Sequence, residues 1–156
     1  MPYWPGSPYG EDDPLGVNGV HDGDRHAWEV WHGIGFGTGD PTQYASRGEA
    51  MHFHRYADDT GKFISEFGIH ASPEQSTLRR WIPDSELTVH SPSFDHHNKD
   101  RPMNKSDALL EVETGLPDGI EQYVDFTMAA QAEGLKFGIE HYRRRQPSNS
   151  ADLAVQ

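Results

Sequence analysis

The feature that most constrains this chain is an alternation: short apolar segments of strand length take turns with segments that open on helix-start signals. His26-Ala27-Trp28-Glu29-Val30-Trp31-His32 alternates in size and polarity and stops at Gly33, so it reads as a strand. Ser46 followed by Glu49 has the spacing of a capping box and opens a helix to about Ala57, carrying Met51, Phe53 and Tyr56. The stretch 62–69 reads as a second strand, after which Ser72, Pro73 and Gln75 repeat the helix-start logic for a helix ending before Pro83. Asp118 with Glu121 opens the strongest helix, in which Ile120, Val124, Met128, Leu135, Ile139 and Tyr142 fall roughly on one face. Arg143, Arg144 and Arg145 suit its negative end, and Leu153-Ala154-Val155 reads as a last short strand. Strands alternating with helices pair in parallel through right-handed crossovers, which predicts an α/β sheet or barrel.

The remaining segments read as connections. Residues 1–24 hold four prolines and five glycines, and 84–117 reads as a long polar loop with one short helix over 106–112. The glycines at 33, 35, 37 and 39 precede neither a lysine nor a convincing phosphate-gripping helix, so they do not make a phosphate loop. Only 34% of the 156 residues are hydrophobic and the mean hydropathy is -0.81, which predicts either a loop-rich domain or part of something larger. A formal net charge of -12 argues against a nucleic-acid partner, since the sequence has no basic stripe to neutralise phosphates beyond the short run Arg143, Arg144, Arg145. The chain lacks cysteine, so it carries no disulfide framework or thiolate zinc site, a composition that favours the cytoplasm. It has no apolar run of about 18 residues and no signal-peptide pattern at its start, so no membrane is implied.

Within FISEFGIH, 63–70, one glutamate interrupts an apolar run. In parallel α/β sheets ligands gather at the carboxyl ends of the strands, and Glu66 lies toward that end of its segment, with Gly68 just beyond. A carboxylate there needs partners or an opening to solvent. Chemistry alone leaves two readings open, a structural ion pair at the sheet rim or a functional group.

FISEFG, preceded by GDRHAWEVWHG and by YWPGSPYG, resembles the β-mannosidases of glycoside hydrolase family two, over about residues 3–145. The resemblance implies that this is a C-terminal part of the catalytic (β/α)8 barrel, roughly its last three to four strand-helix units. In that family a Ser-Glu-Phe/Tyr-Gly segment ends the seventh strand and supplies the nucleophile, a role that falls on Glu66. The family's Trp-x-Val-Trp-His segment is similar to Trp28, Val30, Trp31 and His32, where such residues wall the sugar pocket on the preceding strand. YWPGSPYG resembles the end of the fifth strand and would place Trp4 and Ser7 near the pocket. At the last strand the family's Leu-x-Trp-Gln meets Leu153-Ala154-Val155-Gln156, with Val155 in the place of a tryptophan.

The resemblance implies a retaining double displacement on terminal β-mannosides, with Glu66 attacking the anomeric carbon and a second glutamate acting as acid and base. That second residue belongs to an Asn-Glu dipeptide of the fourth strand, which this chain lacks. Without that residue the isolated chain is expected to be inactive, and since a whole barrel takes about 250 residues against the 156 here, its expected partner is the N-terminal part of the same enzyme. Arg25, His26 and His32 are candidate donors to Glu66, and Trp4 and Trp31 can stack on a sugar ring. Two alternatives remain open: another family-two exoglycosidase such as an exo-β-glucosaminidase, and a non-catalytic remnant. No cofactor is implied. The ten histidines include the close groups His52/His54 and His96/His97, but neither has a carboxylate at a familiar ligand spacing, so no metal site is expected.

Overall fold

The computed structural model describes residues 3, 6–10, 16–21, 23–33, 43–98, 105–146 and 154–155. Trp4, the glycines of 35–39, Leu153, Gln156 and the side chain of Val155 lie outside the described residues. The chain divides into two compact units, Met1–Ile69 with Gly134–Gln156, and His70–Glu133.

The first unit contains a three-stranded parallel sheet in the order β1 (Arg25–His26), β2 (Ile64–Phe67), β3 (Ala154–Val155). His26 stands beside Glu66, and Glu66 beside Ala154. The parallel pairing expected from the alternation is present, but β1 is far shorter than 26–32. Its ladder ends where Ala27 N donates to Glu66 O at 2.8 Å, and Trp28 N then turns back to His26 O at 3.0 Å. The rest of the expected strand is a kinked helical turn, α1 (Glu29–His32), with Val30 extended and Trp31 at φ 79. Local turn bonds override the alternating pattern.

Ser46 does cap α2 (Arg47–Met51): its hydroxyl accepts from Glu49 N, while the Glu49 carboxylate accepts from Ala45 N. The expected helix breaks at His52, which is extended at ψ 138, and resumes as a 3-10 segment over Phe53–Asp58. Beneath lies an aromatic core of Tyr56, Phe67 and Tyr142, in edge-on contact with ring centroids 5.1–6.0 Å apart. The long helix α6 (Ile120–Arg144) reaches this core through Gly138, where a Cβ would lie 2.8 Å from Phe67 Cε2 and 3.1 Å from Tyr56 Cδ2.

The second unit is helical: α3 (Gln75–Leu78), α4 (Pro92–His97), α5 (Lys105–Glu113) and the first part of α6, around Leu78, Ile82, Phe94, Leu109, Leu110 and Tyr123. Ser72 does not cap α3; its N–H donates to Thr127 Oγ1 at 3.1 Å, and Glu74 is the cap residue. The capping serine of this unit is Ser91, whose hydroxyl accepts from Phe94 N with Pro92 in the first turn, so SPSFDHH is a helix rather than the loop expected. Along α6 the buried positions are Tyr123, Val124, Thr127, Ala130, Gly134, Gly138 and Tyr142, whereas Met128 is 46% exposed. Of the face expected from the sequence Val124 and Tyr142 are buried, Ile120, Leu135 and Ile139 are half-buried, and the small residues Ala130, Gly134 and Gly138 join the packed side. Among the described residues no helix is long and apolar enough to cross a membrane.

Candidate functional site

Glu66 emerges near the carboxyl end of β2, the central strand of the sheet. Its side chain is 20% exposed, yet its Oε2 is fully buried, so the exposed surface belongs to the rest of the group. Opposite Oε2, at 3.3 Å, stands His26 Nδ1 from the end of β1. This is ion-pair distance, but the atoms are not aligned as a hydrogen bond.

His26 is held from several sides. Its backbone N–H donates to Asn18 Oδ1 at 2.6 Å, and its carbonyl accepts from Asn18 Nδ2 at 2.9 Å. The Trp28 ring lies 5.0 Å from the imidazole and is followed by His32 at 5.7 Å from Trp28. The other ring nitrogen, Nε2, meets Ser7 Oγ at 2.9 Å, and Ser7 in turn donates to Asp24 Oδ2 at 2.6 Å. Ser7 Oγ also lies 3.2 Å from Ser65 Oγ on β2, and Ser65 donates to Arg25 O at 3.3 Å.

An antiparallel bridge between Tyr9 and Asp24 carries the Ser7 segment to this place. It requires Gly23, at φ 68, because a Cβ there would sit 1.4 Å from Tyr9 O. Ser7 is thus delivered across 19 residues of sequence to a ring nitrogen on β1.

Arg25 has a different environment. Its guanidinium donates through Nε to Asp59 Oδ2 at 3.1 Å, through Nη2 to Glu29 Oε1 at 2.5 Å and through Nη1 to Asn18 O at 3.2 Å. Arg25 is 3% exposed. Burial lowers its proton affinity, but Asp59 and Glu29 outweigh that and hold it above the ordinary arginine value. Asp59 accepts further from Tyr142 OH and from Gly61 N, and its carbonyl accepts from Arg145. The side chain that faces Glu66 is therefore His26, while Arg25 belongs to a buried network with Asp59 and Glu29.

Of the residues singled out by sequence, Glu66 and Ser7 come together through His26. His32 lies one ring further, beyond Trp28. Trp31 is buried at 7% exposure with φ 79, a backbone conformation that is strained for a non-glycine residue. Trp28, at 36% exposure, is the aromatic that touches the imidazole. Sequence reading passed over Asp24 and Asn18 as site residues. The run Gly23-Asp24-Arg25-His26 held the only local signal for Asp24, and Asn18 carried none.

Of the histidine pairs, His52 Nδ1 accepts from His54 N, and burial followed by the His54 charge holds His52 below its ordinary value, while His97 Nδ1 lies 2.8 Å from Ser93 O. Among the described residues no group of three His, Asp or Glu is placed to hold a metal ion.

No protein-family model matches the chain. Beta-mannosidase B of Thermothelomyces thermophilus is 33% identical over 152 residues, which cover 92% of this chain and 15% of that protein. Beta-mannosidase B of Aspergillus oryzae is 32% identical over 145 residues, with the same coverage of 92% and 15%. A crystal structure of the β-D-mannosidase from Dictyoglomus thermophilum superposes with a TM-score of 0.81 at 34% identity, over 99% of this chain and 17% of that one. The likeness to β-mannosidases drawn from the three motifs is borne out by these comparisons. The chain spans 15% of the length of the curated relatives it matches.

Proposed function

We propose that this chain is a C-terminal part of the (β/α)8 catalytic domain of a retaining exo-β-mannosidase, with Glu66 as the nucleophile. The observation that carries the reading is the position of Glu66: a carboxylate near the carboxyl end of the central parallel strand, with one oxygen buried against His26 and the rest of the group partly open. The likeness to β-mannosidases supplies the sugar, a terminal non-reducing β-mannose residue.

In this reading the open oxygen of Glu66 attacks the anomeric carbon, the bond to the leaving oxygen breaks, and a glycosyl ester forms that water then hydrolyses. The acid and base is a second carboxyl held about 5–5.5 Å from Glu66, the separation of retaining enzymes, and it comes from the part of the enzyme that this chain does not span. That same part supplies the remaining strands beside β1 and β3. Trp28, Trp31 and His32 wall the pocket, and β-mannoside oligosaccharides or glycosides are the substrates.

A rescue experiment tests the assignment. The Glu66→Gly variant is given a dinitrophenyl β-mannoside, whose leaving group needs no acid, with and without azide. Azide-dependent release with formation of the α-mannosyl azide supports Glu66 as nucleophile, and release unaffected by azide in that variant refutes it. A dinitrophenyl β-glucosaminide in parallel tests the glucosaminidase alternative.

A further inference from the structure

Two fully buried polar atoms in the site face each other without a hydrogen bond, His26 Nδ1 and Glu66 Oε2 at 3.3 Å. The other contacts of the ring decide what lies between them. The Ser7 hydroxyl has one proton, and it goes to Asp24 Oδ2 at 2.6 Å, a charge-assisted contact. Toward His26 Nε2, 2.9 Å away, Ser7 Oγ can then only accept, so Nε2 carries a hydrogen. With that hydrogen fixed, a neutral ring would turn a bare Nδ1 lone pair onto the lone pairs of a buried carboxylate. Neither atom would be satisfied, and in a buried setting that costs free energy with no compensation.

We propose that the hydrogen bonds from Asp24 through Ser7 to His26 Nε2 hold the ring doubly protonated, so that an imidazolium Nδ1 stands 3.3 Å from an ionised Glu66 Oε2 as an ion pair in the resting site. The proposal rests on the reading of Glu66 as nucleophile and deepens it. His26 fixes which carboxylate oxygen is tied down and which is free to attack. Asp24 and Ser7 act through His26 and are positioning residues; Ser7 then works from behind the pocket rather than on the sugar. When the free oxygen bonds to the anomeric carbon and the leaving group departs with the electron pair of the broken bond, the proton stays on Nδ1. Oε2 becomes the carbonyl oxygen of the ester and keeps the imidazolium beside it.

Nitrogen NMR of the labelled 156-residue chain at neutral pH reads this directly, with His26 assigned from the signal lost in His26→Gln. Both ring nitrogens are expected to carry hydrogen in the unmodified protein. In Asp24→Asn the new amide can donate to Ser7 Oγ, which frees the serine hydroxyl to donate to Nε2. That nitrogen should then lose its hydrogen while Nδ1 keeps one. A bare Nδ1 or a bare Nε2 in the unmodified protein overturns the proposal, whether or not the variants fold.

A second readout is the rate at which a 2-fluoro mannosyl fluoride labels Glu66. Ser7→Ala should slow it by about ten- to a hundredfold, the range of one hydrogen bond to a charged group, and Ser7→Thr should restore it. Unchanged labelling in Ser7→Ala overturns the proposal. A doubly protonated ring with no labelling in any form leaves the proton chain standing and removes the nucleophile reading. Labelling together with a neutral ring does the reverse.

Discussion

Replacing Arg25 by alanine separates two roles that the sequence left together, a donor in the sugar site and an anchor of the fold. Its guanidinium is buried and bonded to Glu29, Asp59 and the carbonyl of Asn18. Breaking a buried ion pair by removing one partner costs about 3–5 kcal/mol, because the remaining charge stays desolvated. Asp59 keeps donors from Gly61 N and Tyr142 OH, so it is partly compensated, and the greater share of the loss falls on Glu29. We therefore expect a loss of about 3–5 kcal/mol, which at about 2–4 °C per kcal/mol for a chain of this size lowers Tm by roughly 6–20 °C. Urea unfolding followed by tryptophan fluorescence measures it. The same substitution made in a Glu29→Gln background should cost less, since the stranded carboxylate is already gone. A loss under about 1 kcal/mol would refute the reasoning, because that is the range of a solvent-facing ion pair.

Further predictions follow from other parts of the fold. Gly138→Ala drives a methyl group against Phe67 and Tyr56, and overpacking of this kind costs about 1–3 kcal/mol, partly offset by the helix preference of alanine at about 1 kcal/mol; calorimetry should show net destabilisation. Ser46→Ala removes the cap of α2 and should cost about 1 kcal/mol by urea titration, with Ser46→Asp close to neutral. Burial pushes the Glu113 carboxyl up to about 7 from 4.5. The folded value lies above the unfolded one, so folding favours the protonated form, and this contribution is present below about pH 4.5 and is lost as pH rises toward 7. Glu113→Gln should accordingly remove a decline in stability across that window, seen as Tm against pH.

What could be read from the sequence was the chemistry that acts over a few residues. The capping box at Ser46 and Glu49 needs only its own turn, and it is present. Ser72-Pro73 and Ser91-Pro92 share one start signature, yet only Ser91 caps: the Ser72 hydroxyl donates to Pro73 O, its N–H goes to Thr127, 55 residues away, and Glu74 stands at the start of α3. The strand expected over 26–32 failed for a similar reason, since alternation in a segment cannot show that Trp28 N turns back onto His26 O. Along α6 the bulky apolar residues suggested a face, while the close approach to Phe67 and Tyr56 is set by Gly138, which adds nothing to a hydrophobic pattern.

The site divides in the same way. A glutamate inside an apolar strand segment was visible as an anomaly, and in the structure it lies at ion-pair distance from His26, around which the polar contacts gather. The identity of those partners was not legible: Arg25 and His26 are neighbours on β1, and which one faces Glu66 depends on strand register and on Asp59, 34 residues further on. Ser7 and Asp24 join His26 only because Gly23 lets the chain pass Tyr9.

The central claim is that Glu66 is a nucleophile toward a mannosyl group, and covalent trapping tests it most directly. The chain is incubated with a 2-fluoro mannosyl fluoride, its intact mass is measured, and the digest is mapped by tandem mass spectrometry. Fluoride leaves without an acid catalyst, so the second carboxyl is not needed for labelling. The account predicts one added fluoromannosyl group, on the peptide that contains Glu66, and none in Glu66→Gln. A label on any other carboxylate, or a folded chain that takes no label even when the remaining part of a β-mannosidase is supplied beside it, would contradict it.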